Sequence, residues 1–167
     1  GKDVDLYPRL QEVATESPLV LETKLLKSII AETAFAASLQ ESRPILTGVH
    51  MVLSNHKEYK AVATDSHRMS QRKITLENVA SDFDVVIPSK SLREFSAVFT
   101  DDVEKVEVFF SASQILFRSE HISFFTRLLE GNYPDTDRLL TSNFETEVVF
   151  TTASLRSAME RAHLISN

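Results

Sequence analysis

The chain has 167 residues, 43% of them hydrophobic and 25% charged, with a formal net charge of −6; this is enough for one domain with a buried core and parts of others. Three Gly, five Pro and no Cys argue against collagen-like or linker-rich structure and rule out disulfides and thiol chemistry. No apolar run approaches the ~20 residues that a membrane-spanning helix needs, and the lack of Cys fits a reducing, cytoplasmic setting.

Taken in chain order, residues 1–17 read as the tail of one unit and a linker ending at Ser17-Pro18. No signal peptide is expected, and the Gly1 start and Asn167 stop lead to the expectation of a trimmed chain. Val20-Leu21 is a short strand, and Thr23 is a fitting N-cap for a helix predicted to run to about Gln40. Leu26, Ile29, Ile30, Thr33 and Ala37 form an apolar stripe at the helical period. Lys24, Lys27, Ala31 and Ser38 fall on the opposite face, as does Phe35, for which the sequence offers no reason. After the break at Arg43-Pro44 come three strand-like runs, Ile45–Leu53, Tyr59–Thr64 and His67–Ile74. Ser54–Lys57 supplies a hairpin turn and Asp65-Ser66 a kink. Val85–Ile87 is the next strand, Pro88 ends it, and a helix follows to about Phe99. Three further runs, Val103–Phe110, Gln114–Ser119 and Ile122–Leu129, complete the pattern; Val106, Val108 and Phe110 alternate with polar residues as half-buried strands do.

The pattern repeats. Leu21-Glu22-Thr23-Lys24-Leu25-Leu26, Ile87-Pro88-Ser89-Lys90-Ser91-Leu92 and Phe150-Thr151-Thr152-Ala153-Ser154-Leu155 each join a strand to a helix, with 66 residues from Leu26 to Leu92 and 63 from Leu92 to Leu155. Tyr7-Pro8-Arg9-Leu10 and Tyr133-Pro134-Asp135-Thr136 lie 126 residues apart. Such a period marks a slice of a larger array. Each half is strand, helix and three strands, so residues 18–141 are predicted to form one complete pseudo-symmetric α+β domain. Residues 1–17 would end a preceding domain, and residues 142–167 would supply the first strand and helix of a truncated third.

Charge follows the repeat. The helical stretches 23–40, 89–99 and 152–163 hold six basic residues (Lys24, Lys27, Lys90, Arg93, Arg156, Arg161) against Glu32, Glu94 and Glu160, so they sum to +3 and the remainder to −9. The period places Lys24 on Lys90, Lys27 on Arg93, and Arg93 on Arg156. Two readings are open: an ordinary solvated helix face, or a shared basic surface for a phosphate backbone, read without regard to base sequence.

Catalytic signals are weak. Asp65-Ser66-His67 holds the side-chain types of a hydrolytic triad, but neighbours on an extended segment point to alternate faces. A small hydrolase using Ser66 and His67 is therefore a rival that divergent side chains would end. His50, His56, His67, His121 and His163 show no metal-ligand spacing. Glycines only at 1, 48 and 131 exclude a P-loop or a dinucleotide-binding turn. No catalytic residue, metal or cofactor is expected. Thr64, His67, Arg68 and Met69 around the kink, with Tyr133-Pro134 and Arg138-Leu139, would suit a groove for a hydrophobic peptide. The plainer reading makes Met69 and Leu139 core and the two arginines surface charges.

Ala63-Thr64-Asp65-Ser66-His67-Arg68-Met69 resembles the Ala-Thr-Asp-Gly-His-Arg-Leu segment of the bacterial beta sliding clamp family, the processivity subunit of DNA polymerase III. Leu129-Glu130-Gly131-Asn132-Tyr133-Pro134-Asp135 is similar to that family's Gly-x-Phe/Tyr-Pro-Asp segment, and Arg161–Asn167 to the opening of its third domain. The resemblance covers the whole chain. It implies the DNA-clamp fold, a pseudo-two-fold duplicated β-α-β-β-β unit with helices on the inner face and antiparallel sheets outside. Full-length proteins of this kind would pair head to tail as a homodimeric ring around double-stranded DNA. Such a ring tethers the replicative polymerase and catalyses nothing itself.

The resemblance carries DNA contact onto Lys24, Lys27, Gln40, Lys90, Arg93 and Arg156. It carries a peptide-binding groove onto Leu46, Thr64, Ser66, His67, Arg68, Met69, Pro134, Arg138 and Leu139. The implied partners are DNA polymerase III subunits, the clamp loader and other proteins with a clamp-binding motif; no membrane is involved. Ser66 stands where the family has Gly, which would tighten the kink, and Met69 where it has Leu, a volume-conserving exchange. The competing reading from another class is a protein–protein interaction module without DNA contact, whose basic helix faces are merely solvated.

Overall fold

The computed structural model describes residues 18–144. The third copy of the repeat, residues 1–17 and Arg156 lie outside the described residues.

β1 (Leu19–Glu22) leads directly into α1 (Thr23–Thr33), followed by β2 (Gly48–Ser54), β3 (Glu58–Thr64) and β4 (Met69–Thr75). The second half repeats the order with β5 (Phe83–Pro88), α2 (Ser89–Val98), β6 (Lys105–Phe110), β7 (Gln114–Arg118) and β8 (Ser123–Arg127), and α3 (Thr136–Phe144) ends the described chain. The strands form two antiparallel four-stranded sheets, ordered β1-β6-β7-β8 and β4-β3-β2-β5. Each half thus lends its opening strand to the other half's sheet. Leu21 stands opposite Val106 and, one repeat later, Ile87 stands opposite Val49. The equivalent positions of the duplication occupy equivalent registers.

The two sheets and two helices enclose a single core. Leu26, Ile29 and Ile30 of α1 and Leu92 and Phe95 of α2, with Phe99 just after it, are almost wholly buried against Met51, Leu53, Val106 and Phe117. The α1 residues belong to the apolar stripe read from the helical period, and those of α2 form an equivalent stripe, both turned inward by the hydrophobic effect. Tyr59 is also enclosed; its hydroxyl donates to Met51 Sδ at 2.8 Å, and burial pushes its phenol pKa far above the ordinary range. Leu46, Val62, Val86 and Leu139 are buried apart from this core. Val62 and Val86 flank His50 in the sheet register, on the face opposite Met51 and Ala61.

Thr23 opens α1 rather than capping it, since Glu22 holds the cap position without a side-chain bond, and three further expectations need correction. The first helix stops at Thr33, not Gln40, and a 3-10 turn over Ala34–Ala36 follows. The Thr33 hydroxyl bonds back to Ile29 O at 2.8 Å, and Ser38 N donates to Leu46 O at 2.8 Å. Small residues keep the apolar period alive past the real end, while these polar groups draw the backbone out of the helix. Second, the run predicted from Ile45 becomes a strand only at Gly48, because Pro44 opens a 3-10 turn over Pro44–Thr47. Third, α3 was not foreseen. Its start is marked by Asp135, whose Oδ1 accepts the Arg138 amide at 3.0 Å in an N-cap arrangement.

Candidate nucleic-acid interface and peptide groove

α1 and α2 lie against each other, and their contact leaves a depression of ≈ 670 Å³. Lys24 and Lys27 of α1, Arg93 of α2, and Asp101 just beyond α2 line it, over a floor that includes Ala31, Ala34 and Ser96. The sequence period put Lys27 and Arg93 on equivalent positions, and they line one surface. Arg93 Nη2 reaches Ala34 O at 3.4 Å, and Lys27 Nζ lies 3.1 Å from Asp101 Oδ1. Lys24, Lys90 and Gln40 are exposed. Among the described residues no hydrogen bond or ion pair engages the side chain of Lys24 or Lys90. The acid on α1, Glu32, is paired to Arg72 of β4 at 2.6 Å, and that hydrogen bond holds its carboxyl below the usual range. The helices therefore present cations on their shared surface and settle Glu32 against a strand.

Phe35 belongs to the same depression and is 53% exposed. Its neighbour accounts for it. The Arg68 guanidinium lies over its ring, 5.6 Å from the centroid, and donates to its carbonyl at 2.8 Å. With Ser70 Oγ bonded to Glu32 O and Arg72 paired to Glu32, three residues around β4 fasten the end of α1.

The β3–β4 kink is built on Asp65. Its Oδ1 accepts the backbone amides of His67 at 2.7 Å and Arg68 at 2.9 Å, its Oδ2 lies 3.4 Å from Arg68 Nε, and Thr64 Oγ1 donates to Arg68 O at 2.9 Å. The Asp65 carboxylate is thus committed to closing a turn rather than orienting an imidazole. Among the described residues no group of His, Cys, Asp or Glu could hold a metal ion.

The segment after β8 crosses the outer face of the β4-β3-β2-β5 sheet. Leu129 N bonds to Val86 O at 2.9 Å, Tyr133 stacks on His50 with ring centroids 4.8 Å apart, and Asp137 pairs with Lys60 at 3.1 Å. Tyr133 OH sits near the Thr64 backbone, and burial drives its phenol pKa far upward. Gly131, at a φ of 118° open to glycine, comes close to Ile45. These contacts bring the Leu46 turn, the Thr64 kink and the start of α3 to one side of the sheet. Leu46, Thr64, Pro134 and Leu139 are buried there, Ser66 and Met69 half-buried, and His67, Arg68 and Arg138 exposed. Of the two arginines expected at the groove, Arg68 is held over Phe35. Sequence reasoning missed Tyr133–His50 and Asp137–Lys60, which fix α3; an Asp at an N-cap with Leu139 four residues later was the available signal.

No helix among the described residues is long and apolar enough to cross a membrane. The family profile described as "DNA polymerase III beta subunit, central domain" matches residues 20–135. The beta sliding clamp of Streptococcus pneumoniae serotype 4 is 70% identical over all of this chain, and that of Lactococcus lactis subsp. lactis is 51% identical over 99% of it. The chain spans 44% of the length of each of these relatives. The crystal structure of the beta subunit from DNA polymerase of Streptococcus pyogenes superimposes with a TM-score of 0.76 at 84% identity, over 99% of this chain and 44% of that one. With matching sequence, paired sheets and duplicated element order, the chain belongs to the family of the DNA polymerase III beta subunit, through its central domain.

Proposed function

We propose that this chain is part of a sliding clamp: a processivity factor that encircles duplex DNA and tethers the replicative polymerase without making or breaking a bond itself. The observation that carries this reading is the shared α1–α2 surface, where Lys24 and Lys27 from one half of the duplication meet Arg93 from the other. Cations from repeated positions on one face suit a uniformly charged backbone, which any base sequence presents alike. Lys90 and Gln40 would extend this surface, and Arg156 would continue it on a third domain. In this reading residues 18–141 are the complete middle domain, between the end of a first domain (1–17) and the beginning of a third (142–167). The full-length protein would close as a head-to-tail homodimer in the cytoplasm.

The defining property is topological. A full-length clamp carrying this sequence, loaded on nicked circular duplex, should remain with the DNA through gel filtration at ~0.5 M salt, where backbone contacts alone are largely screened. Cutting the circle should release it. Equal retention on linear DNA would show ordinary binding and end the reading.

The groove formed by Leu46, Thr64, Ser66, His67, Arg68, Met69, Pro134, Arg138 and Leu139 would receive the short apolar motif of polymerase III subunits, the clamp loader and other partners. Half-buried Met69 and exposed Arg138 can both be truncated without opening the main core. Met69→Ala and Arg138→Ala in the full-length protein should each weaken a fluorescein-labelled clamp-binding peptide by about 5–30-fold in anisotropy titrations. Unchanged affinity in both variants would place the peptide elsewhere.

A further inference from the structure

We propose that Asp101 sets how strongly the α1–α2 surface grips DNA, by acting as a built-in competitor of the phosphate backbone for the Lys27 ammonium. The proposal rests on the reading of that surface as the DNA-facing one. Asp101 is the one carboxylate among the residues that line the depression, and its Oδ1 is 3.1 Å from Lys27 Nζ. The Lys27 side chain is 25% exposed and that of Asp101 66%. The anion therefore stands farther into solvent than the cation it holds, and an approaching phosphate meets repulsion before attraction.

The loop after α2 keeps Asp101 in this position. Phe99 N bonds to Phe95 O at 2.8 Å, and Val103 N bonds to Thr100 O at 3.0 Å, closing a turn around Asp101 and Asp102. Asp102 accepts the Thr100 hydroxyl and feels the Lys27 charge through space, while the ion pair with Lys27 is made by Asp101. The two partners are 74 residues apart and come from opposite halves of the duplication. A phosphate that reaches Lys27 must displace Asp101, so one ion pair is exchanged for another rather than created. Exchange of this kind weakens each contact and lets it be broken as readily as it is made, which suits a surface that moves along DNA. Lys24, with no such partner among the described residues, would be a full phosphate ligand.

The test uses a full-length clamp carrying this sequence and a fluorescein-labelled duplex of about 30 base pairs, titrated by anisotropy across roughly 50–200 mM salt. Asp101→Asn keeps the shape and removes the charge. It should bind about 3–10-fold more tightly at ~100 mM salt, with a log–log salt slope steeper by about 0.9, the signature of one more neutralised phosphate. In a Lys27→Ala background the same substitution should gain less than about 2-fold, because the two residues act as a coupled pair. Equal gains in both backgrounds would overturn the proposal by making Asp101 a general source of repulsion. No gain in either would overturn it by removing Lys27 from the phosphate contacts. Failure of the underlying DNA reading looks different: a Lys24→Glu/Arg93→Glu variant would then bind DNA as well as the unaltered protein.

Discussion

Phe95→Ala should destabilise the folded protein by about 3–5 kcal/mol, the range for emptying a fully buried aromatic site. Phe95 is 0% exposed and is the ring through which α2 meets both its own C-terminal turn and the neighbouring sheet. Its centroid lies 4.5 Å from that of Phe99 and 4.5 Å from that of Phe117, and Phe117 in turn stacks near Phe124. Removing the middle ring leaves a void with aromatic walls on two sides, and neither wall can move freely. Phe99 is anchored by its backbone bond to Phe95 O, and Phe117 by its pairing with β6 and β8. Thermal and urea unfolding followed by circular dichroism should show a melting point lower by about 10–20 °C. Phe125→Ala, on a ring 40% exposed, should cost under about 1 kcal/mol by comparison. A Phe95 variant as mild as the Phe125 one would mean that the stacked rings do not anchor α2.

The Lys24→Glu/Arg93→Glu double variant should lose about 10–100-fold in duplex affinity at ~100 mM salt, with a salt slope shallower by nearly 2. Both side chains are exposed and line the same depression, one from each helix. Glu at position 24 falls in the first turn of α1, where the helix dipole favours a carboxylate, so the fold is not at risk there. Arg93 gives up only a 3.4 Å contact with Ala34 O. Unfolding curves that match those of the unaltered protein would confirm that the loss is electrostatic. Undiminished DNA affinity would favour the competing view of a protein-binding module with a solvated basic face.

The sequence carried the element order well because hydrophobic period and turn chemistry are local. The step from β5 to α2 could be read at Pro88, which stands at the cap of α2, and the apolar stripe of α1 fell where the core is, whereas Thr23, read as the cap of α1, proved to be its first helical residue. It failed where small residues blur the period. Ala34, Ala36 and Ala37 fit a helix and a 3-10 turn equally well, so the end of α1 is decided by hydroxyl and backbone bonds that no period reveals. Phe35 could not be understood at all, since its partner Arg68 comes from the β3–β4 kink, 33 residues away. The same holds for the site. Lys27 and Arg93 could be matched by the repeat, but Asp101 at 3.1 Å from Lys27 could not, because side-chain pairing across the two halves is a product of packing. The expectation of a groove came from the motif around Thr64, whereas the stacking of Tyr133 on His50 ahead of α3 was not visible.

The exchange of opening strands makes the two halves inseparable. Leu19 pairs with Val108, 89 residues later, so β1 leaves the ribosome long before its partner exists. The first half cannot complete its own sheet until β5 arrives, and β1 stays unpaired until β6 follows. Such distant pairing slows folding and ties the whole unit into one cooperative transition. Solenoid arrays can gain or shed a single copy, because each copy touches only its neighbours; this duplication, once interlaced, could be inherited only entire.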